Sequence, residues 1–161
     1  GDQNAIFEMG RFALFGFGMK KDPAEAAEWY RKAAEGGNSE GWRLLGTMSY
    51  NGLGMPADTR TAITYWQKAA ELGNPAALND LGQCYFRGDG VPEDWAKAVE
   101  LWSKGAALGH AGAQYNLAVC YLHGEHVKKD LDQARQWLEK SAAQGHEGAM
   151  RALYHLTKER R

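Results

Sequence analysis

The sequence repeats itself every 36 residues without an insertion or a deletion. A period of this length is typical of stacked supersecondary units, none of which can bury its apolar face alone. It therefore predicts a repeat array and favours a binding scaffold as the class of function. Five columns keep the step: Gly16, Gly52, Gly88 and Gly124; Asp22, Asp58, Asp94 and Asp130; Gly37, Gly73, Gly109 and Gly145; Ala26, Ala62, Ala98 and Ala134; Ala34, Ala70, Ala106 and Ala142.

Each period carries the signals of two helices joined by a turn. From Gly41 to about Tyr50, apolar residues recur every three or four positions, as on one face of an amphipathic helix. Gly52 supplies the positive φ that ends such a helix, and Asp58 is placed to cap the next one. The segment Asp22-Pro23-Ala24-Glu25 adds proline at the first helical position of its unit. The pattern predicts a helix–turn–helix unit.

The period also sets the expected domain organisation, a single repeat domain over residues 1–161. Its parts are repeat 1 at 5–40, repeat 2 at 41–76, repeat 3 at 77–112, repeat 4 at 113–148 and a terminal capping helix at 149–161. The charged end Lys158-Glu159-Arg160-Arg161 suits a cap that shields the last apolar layer. The fold class expected is an all-α solenoid of helix–turn–helix repeats, in which Ala70 and Ala106 are buried where helices touch.

The repeated residues resemble the Sel-one-like repeat (SLR), a relative of the tetratricopeptide repeat. The resemblance covers nearly the whole chain, and its period differs from the 34 residues of ordinary tetratricopeptide units. It implies a right-handed α/α superhelix that mediates protein–protein assembly, with many bacterial members. The third unit carries the family pattern at Ala77, Leu81-Gly82, Tyr85, Gly88-Asp89-Gly90-Val91, Asp94, Lys97-Ala98, Trp102, Ala106 and Gly109.

Composition narrows the classes of partner. Lys+Arg 19 against Asp+Glu 20 leaves a net charge of −1, so no global field attracts nucleic acid or an anionic membrane. No apolar run reaches the ~20 residues that span a bilayer, so we expect no membrane insertion. We expect a monomer in the bacterial cytoplasm, with the periplasm or secretion as alternatives. Gly1 opens in mid-repeat, so we expect a trimmed chain that could have lost an export signal.

Two cysteines, Cys84 and Cys120, occupy one column of successive repeats. Equivalent points in neighbouring units lie about 10 Å apart, whereas a disulfide needs Cα atoms within about 7 Å, so we expect reduced structural thiols. The resemblance includes a cysteine-rich branch associated with β-lactam binding, which makes a β-lactam-directed hydrolase one alternative function. A structural spacer within a larger protein is the other. No nucleophile–base pair is evident, so we expect no enzyme and no cofactor.

The segment His123-Gly124-Glu125-His126 is the strongest candidate for a metal site. Two imidazoles and a carboxylate could hold zinc. Gly124 breaks the helix, however, and the histidines then lack the shared face of two ligands at i and i+4. His110 and His146 stand at helix entries, where a capping role is the simpler interpretation. We expect no bound metal.

The first helices hold the candidate binding residues. Several of their columns vary from unit to unit, while the packing columns stay fixed. If first helices line the inner face, as in tetratricopeptide relatives, these columns form a recognition groove for a peptide or protein. The alternative is a face that is merely solvated. The residues expected to bind are Phe7, Arg11, Arg43, Asn79, Asp80, Gln83, Arg87, Tyr115 and Asn116.

Three arginines give this face its expected chemistry. Arg11, Arg43 and Arg87 fall on inner-face columns of successive units, so we expect local positive charge. Guanidinium groups bind carboxylates through two parallel hydrogen bonds, which favours an acidic segment or a free C-terminus as the ligand. Glu8 and Asp80 would then orient the bound chain. If these acids pair with the arginines instead, the face binds nothing.

Overall fold

The computed structural model describes residues 2–18, 20–124 and 126–158, which form nine α-helices and no strand. First helices begin in steps of 36 residues, and so do second helices. The all-α helix–turn–helix repeat expected from the period is confirmed. The helices are α1 (Gln3–Phe15), α2 (Pro23–Glu35), α3 (Ser39–Asn51), α4 (Thr59–Glu71), α5 (Pro75–Arg87), α6 (Trp95–Ala107), α7 (Ala111–His123), α8 (Leu131–Ala143) and α9 (Glu147–Lys158). The charged end expected at 159–161 lies outside the described residues.

Helix boundaries follow the signals in the sequence. The carboxylate of Asp58 accepts a hydrogen bond from the backbone N–H of Arg60 at 3.0 Å. Asp22 caps α2 in the same way, and Pro23 is the first residue of that helix. Gly52 ends α3 with φ at 66°, the left-handed conformation that glycine adopts without strain. The predicted caps are confirmed, because each satisfies backbone groups that a helix end leaves unpaired.

Contacts divide the chain into two compact units, Gly1–Ala77 and Leu78–Arg161. Unit 1 contains α1 to α4, and its core mixes alanines with a few large side chains. Small residues bring helices close together: a Cβ at Gly46 would collide with the indole of Trp66. Ala70 is only half-buried. The main cluster of unit 1 is Ala13, Ala26, Ala27, Tyr30, Ala34, Leu45 and Met48.

Unit 2 contains most of α5 and the helices α6 to α9. Ala106 is buried as predicted. The last helix, α9, packs on α8 through Ala149 and the half-buried Leu153. Within the described ranges, every helix is too short or too polar to cross a membrane. The main cluster of unit 2 is Ala98, Trp102, Ala106, Ala113, Leu117 and Cys120.

Candidate binding site

A cavity of about 410 Å³ lies between the two first helices of unit 1, and we call it the unit-1 pocket. Two of the predicted binding residues, Phe7 and Arg11, line it. The second helix α2 contributes Tyr30, which lies behind α1 and α3. The pocket therefore opens along the columns that the sequence marks as variable. Its lining residues are Phe7, Arg11, Leu14 and Phe15 from α1, Tyr30 from α2, and Glu40 and Leu44 from α3.

A second cavity of about 220 Å³ lies among α5, α6 and α7, and we call it the unit-2 pocket. Four predicted binding residues line it, namely Gln83, Arg87, Tyr115 and Asn116. The second helix again contributes one large aromatic residue, Trp102. The full lining is Gln83, Phe86, Arg87, Trp102, Tyr115, Asn116, Val119 and Cys120.

The two pockets are the same site in repeats 1 and 3. Five pairs of lining residues differ by 72 positions, which is two periods. Each pocket therefore has first-helix walls and a second-helix aromatic at equivalent places. The side chains at those places differ in chemistry, as expected for variable columns on a fixed scaffold. The pairs are Arg11/Gln83, Leu14/Phe86, Phe15/Arg87, Tyr30/Trp102 and Leu44/Asn116.

Of the predicted binding residues in unit 1, the two arginines, Arg11 and Arg43, are each paired within their own helix. The guanidinium of Arg11 lies 3.1 Å from the carboxylate of Glu8. The single Nε–H of Arg43 is shared between the two carboxylate oxygens of Glu40, at 3.0 and 2.9 Å. The side-chain amide of Asn74 also donates to Glu40, at 2.9 Å. The expectation of a positive face is therefore wrong in unit 1, because Arg11 and Arg43 each have an acid three residues before them.

The pKa of Glu40 shows how strongly this pair is held. Burial raises the pKa of the carboxyl, but hydrogen bonds from Arg43 and Asn74 outweigh it and bring the pKa below its ordinary value. Glu40 is therefore ionised at neutral pH. The pair is a fixed neutral element beside the unit-1 pocket.

In unit 2 the arginine at the pocket wall, Arg87, has different surroundings. Arg87 is exposed at the end of α5 and makes no ion pair with any described residue. The amide side chains of Gln83 and Asn116 are half-buried and line the same pocket. The half-buried Asp80 lies beside Asn79, whose side-chain nitrogen is 3.5 Å from its carboxylate. The lining of the unit-2 pocket thus carries one positive charge.

Asn79 and Tyr115 have structural contacts that the sequence does not reveal. Asn79 is 7% exposed, and its side-chain oxygen accepts a hydrogen bond from Asn116 at 3.0 Å. Its backbone carbonyl accepts one from Nε1 of Trp102 at 3.3 Å. Tyr115 stacks on the ring of His146 with centroids 4.7 Å apart. Asn79 therefore joins α5 to α7, and Asn116 remains at the pocket wall.

Three informative residues of these sites are absent from the predicted binding set: Glu40, Tyr30 and Trp102. A signal for Glu40 exists, since an acid three residues before an arginine on a helix is a favourable pair. Both aromatics are buried, as core residues are. Their contribution to pockets depends on which ring edge faces the cavity, and the period carries no information about that.

Both cysteines lie inside the helix packing. Cys84 and Cys120 are buried, each with 4% of its surface exposed. Burial, reinforced by Asp89 and Asp80, raises the pKa of Cys84 to about 11. The thiolate is the nucleophilic form, and at neutral pH the Cys84 side chain is a thiol. This residue fills space between helices.

Two of the histidines are helix caps. Nδ1 of His110 accepts a hydrogen bond from the backbone N–H of Ala113 at 3.1 Å, and Nδ1 of His146 accepts one from Ala149 at 3.2 Å. These are the bonds that Asn38 makes at the start of α3. The capping interpretation is confirmed at both helix entries.

The remaining histidines of the metal hypothesis lie at the end of α7. His126 has φ at 57°, and its ring centroid lies 4.7 Å from that of Trp95. His123 lines a separate cavity of unit 2 together with His155. Glu125 lies outside the described residues. Among the residues that the structure does describe, no group of three or more potential metal ligands comes together.

Helix–turn–helix units with pockets between successive first helices define the class of protein, a helical-repeat module. The Sel1 repeat family model matches residues 3–38, 43–74, 75–110 and 111–146. The chain therefore belongs to the Sel1 repeat family. Repeats of this family generally mediate protein–protein interaction, and the fold is typically a non-catalytic scaffold.

Solved structures agree with this assignment. A Sel1 repeat protein from Oxalobacter formigenes is 34% identical over 94% of this chain, with a TM-score of 0.90. The protective antigen c5321 of uropathogenic Escherichia coli strains, which displays an SLR fold, is 32% identical over 99% of the chain, with a TM-score of 0.89. The SLR fold that the resemblance implies is confirmed.

The relatives also differ from this chain in length. The chain covers 62% of the Oxalobacter protein and 34% of c5321. Helicobacter pylori cysteine rich protein B is 28% identical over 81% of this chain and 93% of its own, with a TM-score of 0.64. A search of curated proteins finds no significant match.

Proposed function

We propose that this chain is a non-catalytic scaffold that binds a peptide or protein segment along the first helices of its repeats. The observation that carries the proposal is the recurrence of one pocket, in repeats 1 and 3, at equivalent positions with different side chains. Alanines and glycines that pack helices stay constant through the repeats, whereas the pocket walls vary. A scaffold whose only task is to space other domains does not need such pockets.

The unit-2 pocket suits an acidic segment or a free C-terminus. Arg87 is exposed and makes no ion pair with a described residue, so its guanidinium can form two hydrogen bonds with a carboxylate. Gln83 and Asn116 add amide donors to the same wall. Charge-assisted hydrogen bonds of this kind are stronger than those between neutral groups.

Catalysis has no support in the described residues. Burial raises the pKa of Cys84 to about 11, which keeps its sulfur protonated and poorly nucleophilic. Similarity to cysteine rich protein B extends to the fold. This chain has two cysteines, both buried. A β-lactam-directed hydrolase would need an activated nucleophile that these residues do not supply.

The proposal can be tested with a defined ligand. The probe is a fluorescein-labelled peptide that ends in three aspartates and a free carboxylate, titrated by anisotropy. We expect Arg87→Ala to weaken binding by about 1–3 kcal/mol, the range for a hydrogen-bonded charge. The matched control is Lys104→Ala, which removes an exposed cation from the second helix α6 of the same unit.

Equal loss in Arg87→Ala and Lys104→Ala would assign the effect to net charge and contradict the pocket. A peptide with asparagines and an amidated end should bind both proteins weakly. Affinity capture of partners from a bacterial lysate, with wild type and Arg87→Ala as baits, then seeks the natural ligand. Loss of a captured protein with Arg87→Ala alone would identify a candidate partner.

The remaining expectations, a monomer in the bacterial cytoplasm, are part of the same proposal. Analytical ultracentrifugation should give the mass of one chain, 17.8 kDa. Cell fractionation of the native host distinguishes the cytoplasm from the periplasm and the medium.

A further inference from the structure

Tyr30 differs from its repeat equivalents in how its polar atom is used. Trp66 donates its indole N–H to the backbone carbonyl of Arg43 at 3.1 Å, and Trp102 donates to that of Asn79 at 3.3 Å. Tyr30 is fully buried, yet among the described residues its hydroxyl has no hydrogen-bond partner. Buried polar groups are almost always hydrogen-bonded, so an orphaned hydroxyl requires an explanation.

The position of Tyr30 supplies an explanation for its orphaned hydroxyl. The residue lines the unit-1 pocket, so its unmet hydrogen bond lies beside a cavity of about 410 Å³. That volume falls within the range of sites that take small ligands or side chains. Burial raises the pKa of Tyr30 to about 12, so the hydroxyl stays neutral and can both donate and accept.

The other walls of the unit-1 pocket are apolar or neutralised. Phe7, Leu14, Phe15 and Leu44 present hydrocarbon surface, and Phe15 is 56% exposed. The two charged lining residues are compensated: Arg11 pairs with Glu8, and Glu40 pairs with Arg43. The pocket therefore carries no net charge, and a charged ligand would lose hydration without gaining a partner.

Resting on the proposed function, we infer that the unit-1 pocket binds an uncharged aromatic side chain with a polar tip, a tyrosine or tryptophan of the partner segment. The ring packs on Phe7 and Phe15, and the polar tip reaches the Tyr30 hydroxyl. Such side chains combine an apolar body with one hydrogen-bonding group, which matches the composition of this pocket. Because Tyr30 is fully buried, the ligand must press between flanking side chains, and the exposed Phe15 is the one that can turn aside.

The test uses small probes and the isosteric variant Tyr30→Phe. Dissociation constants of 4-methylphenol, toluene and 4-methylbenzoate are measured by NMR titration. We expect 4-methylphenol to shift amides of α1 and α3 and to bind Tyr30→Phe about 5- to 10-fold more weakly, the effect of one hydrogen bond. Toluene should bind both proteins equally, and 4-methylbenzoate should bind this pocket more weakly than 4-methylphenol.

Phe15→Ala is a second variant, chosen because Phe15 is exposed and its loss spares the core. It should weaken 4-methylphenol and toluene alike. Equal affinity of 4-methylphenol for wild type and Tyr30→Phe, or shifts that avoid α1 and α3, would overturn the inference.

Failure of this inference can be told apart from failure of the proposed function. Arg87→Ala should not change binding of 4-methylphenol, because Arg87 belongs to the unit-2 pocket. If Arg87→Ala weakens binding of the acidic peptide while Tyr30→Phe leaves the affinity for 4-methylphenol unchanged, the inference is wrong and the proposed function stands. If neither substitution changes the affinity for its ligand, the inference and the proposed function are both wrong.

Discussion

The unit-1 and unit-2 pockets occupy equivalent positions in the repeat but offer ligands different groups. In unit 2 the indole N–H of Trp102 is satisfied by the carbonyl of Asn79, and the wall carries Arg87, which makes no ion pair with a described residue. In unit 1 the hydroxyl of Tyr30 has no hydrogen-bond partner among the described residues, and the arginine of the wall, Arg11, is paired with Glu8. One pocket has an available charge, and the other has an available neutral hydrogen bond.

The common part of the two pockets comes from packing. Gly10 and Gly82 let the aromatic ring of the second helix lie directly on the backbone of the first. The indole N–H projects from the side of its ring and reaches the backbone carbonyl of α5, whereas a phenol carries its hydroxyl at the far end. The same backbone thus leaves one polar atom satisfied and the other unsatisfied. The repeat period determines where the pocket lies, and individual side chains determine which groups it offers to a ligand.

The largest expected effect comes from disrupting the helix packing that the two pockets share. A Cβ at Gly82 would collide with the indole of Trp102, so Gly82→Leu must displace that ring and its hydrogen bond. We expect a loss of about 3 kcal/mol, at the upper end for overpacked cores. Urea unfolding measures it, with Leu108→Ala as an exposed control that should change stability little. An unchanged midpoint for Gly82→Leu would contradict the tight contact.

A smaller effect separates the two aromatics. Trp102→Phe removes the donor to Asn79 and leaves a cavity, so we expect a loss of about 2 kcal/mol. Tyr30→Phe removes a hydroxyl that has no described partner, so stability should stay level or rise by up to about 1 kcal/mol. Thermal unfolding of both variants gives the comparison. Equal losses would mean that the Tyr30 hydroxyl is satisfied in solution.

Most of the fold could be predicted from the sequence because the repeat rests on local signals. Asp58 and Gly52 mark helix ends through the backbone groups they satisfy, and these signals act within a few residues. A period with no insertion then applies the same geometry to every unit. The helix order and the cap positions follow without any knowledge of long-range contacts.

The candidate site was predictable only in part. The variable columns include Gln83, Arg87 and Asn116, which line one pocket. The charge of the face was not predictable from columns, because Glu40 neutralises Arg43 from a neighbouring column of α3. The columns place Asn79 among the binding residues, but its buried side chain accepts a hydrogen bond from Asn116. That contact depends on how α5 packs on α7.

Alkaline pH should separate Tyr30 from its phenylalanine variant. The pKa of Tyr30 is about 12 in the folded chain and 10.0 in its ordinary state. Between these values the unfolded chain releases the proton first, so stability falls as pH rises above 10 and levels off beyond 12. Between pH 9 and pH 11 the ionisation of Tyr30 alone should lower the stability of the wild type by about 1.4 kcal/mol.

The same measurement on Tyr30→Phe is the control, because every other titrating group is shared. The wild-type loss between pH 9 and 11 should exceed that of the variant by the amount given above. Parallel pH curves would show that the Tyr30 hydroxyl is open to water in the folded chain.

The variant with the smallest expected effect on stability gives the unit-1 pocket an available cation, as in the unit-2 pocket. Glu8→Gln removes the partner of Arg11, an exposed pair on α1, and should change stability by less than about 0.5 kcal/mol. The guanidinium of Arg11 then becomes available at the wall of the unit-1 pocket, as that of Arg87 is in the unit-2 pocket. We expect 4-methylbenzoate to bind about three-fold more tightly at α1 and α3, while 4-methylphenol is unchanged. The matched control is Glu28→Gln, which breaks the exposed pair with Arg31 on α2 and changes net charge equally. The gain should also shrink in 1 M salt, where the screening length falls to about 3 Å. An equal gain for both variants would point to net charge, and the difference between the pockets would then not arise from the pairing of Arg11.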